Sequence, residues 1–445
     1  MSATPADLPK PTRPTPNFNR HGLKLLILGV AWLVLGGLLS TVSSLISERH
    51  GYRTQAEASV AAGWGGAQVI GAPVLRFSFA SKIDAKGFER RVADRWVLPE
   101  LASFDTDLET QRRRLGIFEI PVYEAKMQLQ AQFSADRINA MLAERPGAQI
   151  ERVSIALPIS DPRGLRAAVS LQVGNEQLRL VPSGSVMGGH PLLAATLRDP
   201  ANWRQGLQLD QDIVLAGVRS LSWLPSASDM TVQLHGDWPD PGFADGMLPR
   251  NREVGAAGFS ADWRVLDFNA GIPPVMNTDQ VQALSAHRVG FGVTLQQPGD
   301  VYQRNERAWK YGFLFVALSL GAYFLLELLL ARELWALDYA LIGVSQVVFY
   351  LLLLALSEHL GFDIAYAAAS LVFAAMVGAF SVGLLGSRQR GLMAGVVLAL
   401  AYAMLYLLIG SESYALLLGA LLATSLLALA MGLVSRTRRR LQTAP

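Results

Sequence analysis

Glu358 and His359 close one apolar run of the chain, Asp363 opens the next, and Glu412 lies between the last two runs. Carboxylates beside an imidazole can bind a divalent cation or relay protons, because histidine alone changes charge near neutral pH. The competing reading is plainer: a hydrophilic connection between oily segments must contain something polar. Glu327 differs, because it lies inside an apolar run, and an intramembrane carboxylate is a functional candidate by default. It stands about one turn from the end of that run, close to Arg332. Snorkelling, or pairing with that arginine, is the cheaper explanation. Gln346 reads as a polar contact between helices rather than a substrate ligand. Proton-coupled transport generally needs charged or broken helices at the bilayer centre, and these runs show neither.

The usual catalytic signatures are missing. There is no G-x-x-x-x-G-K-[ST] to cradle phosphate, no H-E-x-x-H to hold zinc and no G-x-S-x-G to present a nucleophile. His21, His50, His190, His235, His287 and His359 are scattered without ligand spacing. With no cysteine, disulfides, thiolate metal sites and cysteine nucleophiles are excluded. No catalytic residue, cofactor-binding residue or metal ligand is therefore assigned, and the chain reads as non-enzymatic. Arg112-Arg113-Arg114 could attract acidic envelope polymers, or form a solvated charged edge. Trp203, Trp223, Trp238 and Trp263 could line a glycan groove, although such residues more often fill a β core.

Of 445 residues, 51% are hydrophobic and 17% charged, against about 25% charged in an ordinary soluble domain. The deficit is local. Six segments are long and apolar enough to span a bilayer: Leu25–Ile46, Tyr311–Leu330, Tyr339–Leu356, Ile364–Leu385, Leu392–Ile409 and Tyr414–Val434. Lys10, Arg13, Arg20 and Lys24 precede the first. Arg332, then Arg388 and Arg390, then Arg436, Arg438, Arg439 and Arg440 mark alternate short flanks. The intervening loops, 357–363 and 410–413, hold neither Lys nor Arg. The positive-inside rule then puts both termini in the cytoplasm and the long middle segment outside. These basic clusters are topology signals and contacts for anionic lipid. They form no aromatic-interleaved stripe, which argues against nucleic acid. The first run is longer than a signal-peptide core, and no small-residue cleavage site follows it, so it reads as an uncleaved anchor.

Between these membrane parts, period-two alternation dominates. Met127, Leu129, Ala131 and Phe133 alternate with glutamines; Leu75, Phe77 and Phe79 alternate likewise, as do Met230, Val232 and Leu234. Such a pattern places one face on a core and the other in water. Ala167–Val173 and Arg288–Leu295 are further strand candidates. Ser47–Ala62 continues the first helix until Gly63-Trp64-Gly65-Gly66 stops it. One internal helix is expected over Ala135–Glu144, capped by Ser134. The Pro- and Gly-dense stretch from Pro225 to Pro249 reads as a long connection, and Met1–Asn19 as a Pro-rich cytoplasmic tail.

Six stretches in order carry a family resemblance: RRRLGIFEIPVYEA (112–125), SDPRGL (160–165), GFSADWRV (258–265), GVTLQQPGDVYQRNERAWKYGFLF (292–315), YLLLLALSEH (350–359) and SYALLLG (413–419). Together they resemble the inner membrane protein CreD family, the cell envelope integrity proteins of Gram-negative bacteria, from about Arg49 to about Val434. The resemblance implies induction by a two-component system that senses envelope stress. It also implies roles in envelope integrity, colicin tolerance and the β-lactam response, but no reaction. Asn269-Ala270-Gly271 departs from the family pattern, which tends to a basic residue there.

The expected fold is a membrane protein of α+β class. It has one N-terminal transmembrane anchor helix (25–46), a large periplasmic, mainly antiparallel β domain (47–303) and a C-terminal five-helix transmembrane bundle (304–434). Cytoplasmic tails lie at 1–24 and 435–445. The expected role is structural or regulatory, in the inner membrane, with the lipid bilayer and a periplasmic or inner-membrane protein as partners and no cofactor. The alternatives are a small-molecule or lipid transporter, which needs a hydrated cavity in the bundle, and a membrane hydrolase acting on cell-wall precursors, which needs Glu358, His359 and Glu412 to converge.

Overall fold

A computed structural model describes residues 18–83, 89–90, 92–173, 176–243, 246–284, 290–297, 301–330 and 333–411, with isolated residues between 417 and 435. The chain divides into two compact units, one of residues 1–51 and 299–445, the other of residues 52–298. Helix α1 (Phe18–Trp64) runs unbroken through the stretch expected to extend it. It ends where Gly65 takes φ +107°.

The unit of residues 52–298 is built from sheets. One six-stranded sheet has the order β11 (Val181–Met187), β12 (His190–Leu197), β8 (Ile150–Pro158), β2 (Val74–Phe79), β5 (Arg95–Val97), β19 (Val275–Asn277). A second has the order β13 (Leu207–Val218), β7 (Phe118–Phe133), β6 (Leu101–Leu115), β15 (Asp229–Gly236), β18 (Gly258–Leu266), β17 (Asn251–Gly255). A four-stranded sheet joins β1 (Gln68–Gly71), β14 (Ser220–Leu224), β20 (Phe291–Leu295) and β16 (Pro241–Gly242). Two short pairs, β3 (Lys82–Ile83) with β4 (Glu89–Arg90) and β9 (Ser170–Val173) with β10 (Glu176–Arg179), complete the strands. The pairing is antiparallel except at β1–β14 and β6–β15, which are parallel. Local alternation reveals a strand but not the direction of a partner more than a hundred residues away.

The alternating glutamine stretch lies in β7, with its apolar side chains buried and its glutamines exposed. The strand expected over Ala167–Val173 begins only at Ser170. Of Arg288–Leu295, the described part is strand from Phe291; residues 288 and 289 lie outside the described residues. The alternation of Met230, Val232 and Leu234 lies in β15, and the Pro- and Gly-dense stretch around it, expected as a long connection, also contains β16. Helix α2 (Ala135–Ala143) starts where Ser134 Oγ accepts from Arg137 N at 3.3 Å. Three short helices interrupt the strands without a strong local signal: α3 (Ala201–Arg204), α4 (Asp267–Ala270) and α5 (Thr278–Ala283). Gly271 caps α4 in the left-handed region, so Asn269-Ala270-Gly271 is a helix end.

One core collects the inner faces of all three larger sheets. Trp203, Trp223, Trp238 and Trp263 are all buried there. Trp223 packs against Phe104, Trp263 and Phe291 with ring centroids 6.2–6.3 Å apart. Burying one such ring stabilises the fold by roughly 1.5–3 kcal/mol. These tryptophans therefore serve as core rather than as a glycan groove.

The SDPRGL stretch is a polar knot. Asp161 Oδ2 accepts from Gly66 N at 2.9 Å, and Oδ1 accepts from Arg163 N and Nε. Gln68 Nε2 donates to the carbonyls of Asp161 and Ala216 at 3.1 and 3.0 Å. A Cβ on Gly164 would lie 2.2 Å from the Ala216 carbonyl oxygen, so only glycine fits.

In the other unit, α6 (Val301–Lys310) and α7 (Gly312–Leu330) meet at a 41° bend, and α8 (Ala336–Leu360), α9 (Phe362–Leu385) and α10 (Arg388–Gly410) follow. Among the described residues, four helices are long and apolar enough to cross a membrane, or five if the bent pair counts as one span. The sixth expected segment, Tyr414–Val434, lies outside the described residues apart from isolated positions. α9 and α10 cross at glycines: a Cβ on Gly391 would meet Val382 N at 2.6 Å, and one on Gly395 would meet Gly378 Cα at 3.2 Å. Small residues four apart let helix backbones approach closely in lipid.

Hydrogen bonds from Arg163 hold the Asp161 carboxyl down at about 2, below its ordinary 3.8. A depressed carboxylate stabilises the fold above its unfolded value and loses that effect as pH falls through its folded value. Asp161→Ala is expected to cost about 1–3 kcal/mol, read as a lower melting temperature of the detergent-solubilised chain. The wild-type advantage should be complete above pH 3.8 and shrink as pH falls towards about 2.

Candidate functional site

The sequence of α6, VYQRNERAWK, puts Tyr302, Asn305 and Ala308 on one buried face. That face meets the end of α8. Asn305 Nδ2 donates to Ser357 Oγ at 2.9 Å and to its own helix at Val301 O. Tyr302 OH donates to Glu358 Oε1 at 3.1 Å, and Arg49 Nε lies 3.7 Å from the same oxygen. The Glu358 side chain is only 8% exposed. One turn further on, Arg304 Nη1 donates to Asp363 Oδ1 at 2.6 Å, Tyr406 OH donates to it at 2.7 Å, and the Arg304 guanidinium stacks over Phe362. Each carboxylate is thus met by an arginine and a tyrosine hydroxyl.

The structure places Glu358, His359 and Asp363 together at the α8–α9 junction, but not as one site. Glu358 and Asp363 face different cations, and His359 is exposed. Glu412 lies outside the described residues. Among the described residues no three His, Asp or Glu side chains form a metal-holding group. Both carboxylates are already occupied by a guanidinium and a tyrosine hydroxyl. This end of the helices acts as an electrostatic clasp that α6 and α1 close over the α8–α9 turn.

Glu327 is the second cluster. It is buried, at 6% exposure. Its Oε1 accepts from Lys24 Nζ of α1, and its Oε2 accepts from Tyr339 OH of α8 at 2.8 Å. The expected pairing with Arg332 falls on a residue outside the described set. Lys24 lies 303 residues away in sequence, so no neighbouring residue points to it. Trp32 Nε1 donates to Phe313 O at 3.1 Å higher on α1, and Leu35 and Leu39 pack against Gly343 and Gly312.

A cavity of about 890 Å³ opens among α7, α8 and α10. Leu, Val and Ala dominate its wall, with Tyr311, Tyr323, Ser319 and Gln346 among them. Gln346 is buried, and its Oε1 has no hydrogen-bond partner among the described residues. Nearby, Tyr323 OH and Ser381 Oγ are paired at 2.6 Å. This chamber is oily with few polar points.

In the other unit the three arginines near the β6–β7 turn are engaged. Arg114 pairs with Glu119 at 2.7 Å, Arg112 lies over Trp238 and Arg113 over Trp64. Arg166 covers Trp64 as well, at 4.1 Å. They brace the hairpin against its own unit.

The model of a protein family described as "Inner membrane protein CreD" matches residues 20–439. The curated protein of Escherichia coli (strain K12) bearing the same description is 30% identical over 428 residues, covering 93% of this chain and 92% of its own length.

The pairing at Glu327 yields a direct expectation. Lys24→Ala should destabilise the solubilised chain by about 3 kcal/mol, because it leaves a buried carboxylate uncompensated. Adding Glu327→Leu should return much of that loss. A double variant no more stable than Lys24→Ala would show that the two residues do not interact.

Proposed function

Because the chain belongs to the inner membrane protein CreD family, we propose that it serves envelope integrity under stress as a structural or regulatory protein rather than an enzyme. The observation that carries this reading is the family match along nearly the whole chain, joined to the division into a unit with apolar spanning helices and a separate β-rich unit. In this reading both termini are cytoplasmic and residues 52–298 stand in the periplasm, where they contact another envelope component. The absence of Lys and Arg from the α8–α9 connection, set against Arg388 and Arg390 at the start of α10, supports that orientation. Basic residues at the cytoplasmic ends would contact anionic lipid. The family resemblance extends the proposal to β-lactam response and colicin tolerance.

A second reading, lipid handling by the membrane helices, is favoured by the oily cavity, where Gln346 Oε1 has no partner among the described residues. Lipid chains would suit such walls; a hydrated solute would not.

Deletion of the gene should sensitise cells to β-lactam and detergent, and re-expression should restore tolerance. His359→Ala and Glu412→Ala should restore it as fully as the wild type, measured as minimum inhibitory concentrations at matched protein level. Failure of both variants would favour the hydrolase alternative. Fast translocation of a labelled phospholipid by reconstituted protein, lost in Gln346→Leu, would favour the lipid-handling reading instead.

A further inference from the structure

The sheet β11–β12–β8–β2–β5–β19 has two unlike faces. Leu75, Phe77, Ile155 and Leu193 point to the core. On the other face lies a cavity of about 710 Å³. Register explains its chemistry. Trp96 pairs opposite Arg76, Arg76 opposite Ser154, and Ser154 opposite Thr196. Directly paired residues project from the same side of a sheet, so these four form one polar row across four strands. Ser78 and Arg152 pair in the adjoining row. Strand β10 borders the opening with Glu176 and Arg179, and Arg198 follows the end of β12.

Two features separate this cavity from an ordinary wet sheet face. The first is free positive charge. Arg137, Arg166, Arg219 and Arg264 each face a carboxylate elsewhere in the unit. Arg152, Arg179 and Arg198 make no ion pair among the described residues, yet all three line this one cavity. Arg76 is already neutralised by Asp94 at 2.6 Å and lies over the Trp96 ring at 5.1 Å. The second feature is unmet hydrogen bonding. Trp96 is 3% exposed and its indole N–H has no partner among the described residues; Glu176 Oε2 is likewise buried without one among them. A buried polar atom left unpaired costs about 1–3 kcal/mol.

We propose that this cavity binds an acidic saccharide. Its carboxylate or phosphate would sit on Arg152, Arg179 and Arg198. A hydroxyl or amide N–H would donate to Glu176 Oε2, and a ring or acetyl oxygen would accept from the Trp96 indole. An inorganic anion satisfies the arginines but is repelled by Glu176. A neutral sugar satisfies Glu176 but leaves three cations unmet. Only a ligand carrying both an anion and hydrogen-bond donors answers both halves of the site. The cavity lies wholly in the unit of residues 52–298, so the inference is independent of any reading of the membrane helices.

Isothermal titration of the detergent-solubilised full chain would test this with four probes: N-acetylmuramic acid, N-acetylglucosamine 1-phosphate, N-acetylglucosamine and inorganic phosphate. At least one of the two acidic sugars should saturate, with the neutral sugar and phosphate weaker by about tenfold or more. Preference for the carboxylate would point to cell-wall sugars, and preference for the phosphate to phosphorylated glycolipid. Arg152→Glu combined with Arg198→Glu, both at exposed positions, should weaken binding by at least about tenfold without lowering the melting temperature. Three results would overturn the proposal: neither acidic sugar saturating below ~10 mM, the neutral sugar or bare phosphate binding as tightly, or binding surviving the double arginine variant.

Discussion

A carboxylate carried into or beside hydrocarbon must meet a cation or a hydroxyl, because an unpaired charge there costs several kcal/mol. That constraint organises the membrane unit. Glu327 is met by Lys24 and Tyr339, Glu358 by Arg49 and Tyr302, and Asp363 by Arg304 and Tyr406. Two of these pairs join α1 to the later helices, one near each end of the apolar part of α1. Between them, Trp32 donates to the Phe313 carbonyl, and Leu35 and Leu39 pack against Gly343 and Gly312. Close packing at small residues brings the helices together in lipid, and the charge pair near each end adds to their fixed register.

The same requirement, that polar groups be satisfied, takes another form in the β-rich unit. Backbone groups there are met by sheet pairing, and the places where sheets cannot supply partners are filled by side chains. Gln68, Ser160 and Asp161 do this around the 3-10 turn Pro162–Gly164. The SDPRGL stretch is thereby explained as fold chemistry. Among the described residues, the Trp96 indole N–H and Glu176 Oε2 are exceptions to this satisfaction, and they share one cavity with Arg152, Arg179 and Arg198, which make no ion pair among those residues.

Much of this was legible in the sequence. Apolar length gave the helices, and the alternation of Leu75, Phe77 and Phe79, or of Met127 to Phe133, gave strands whose buried face is the expected one. Ser134 as a helix cap and the tryptophans as core also follow from residue type. What was not legible depends on long-range partners. Lys24 and Glu327 are 303 residues apart, and no local pattern links them. The parallel pairing of β6 with β15 is hidden for the same reason. Helix α6 does not stand out as a separate element because it is rich in polar residues; its helical face shows only in the spacing of Tyr302, Asn305 and Ala308. Of the residues singled out by chemistry, Glu358 and Asp363 each pair with a different arginine, Arg49 and Arg304. Glu412 falls outside the described residues.

The partition of this chain across the membrane is open to direct measurement because the chain contains no cysteine. Single cysteines can be placed at Glu253, on the exposed edge strand β17, and at Gln389, in the first turn of α10 between Arg388 and Arg390. In intact spheroplasts a membrane-impermeant maleimide should label Glu253→Cys at once and Gln389→Cys only after lysis. Labelling of Gln389→Cys in intact spheroplasts, or protection of Glu253→Cys until lysis, would contradict the proposed orientation.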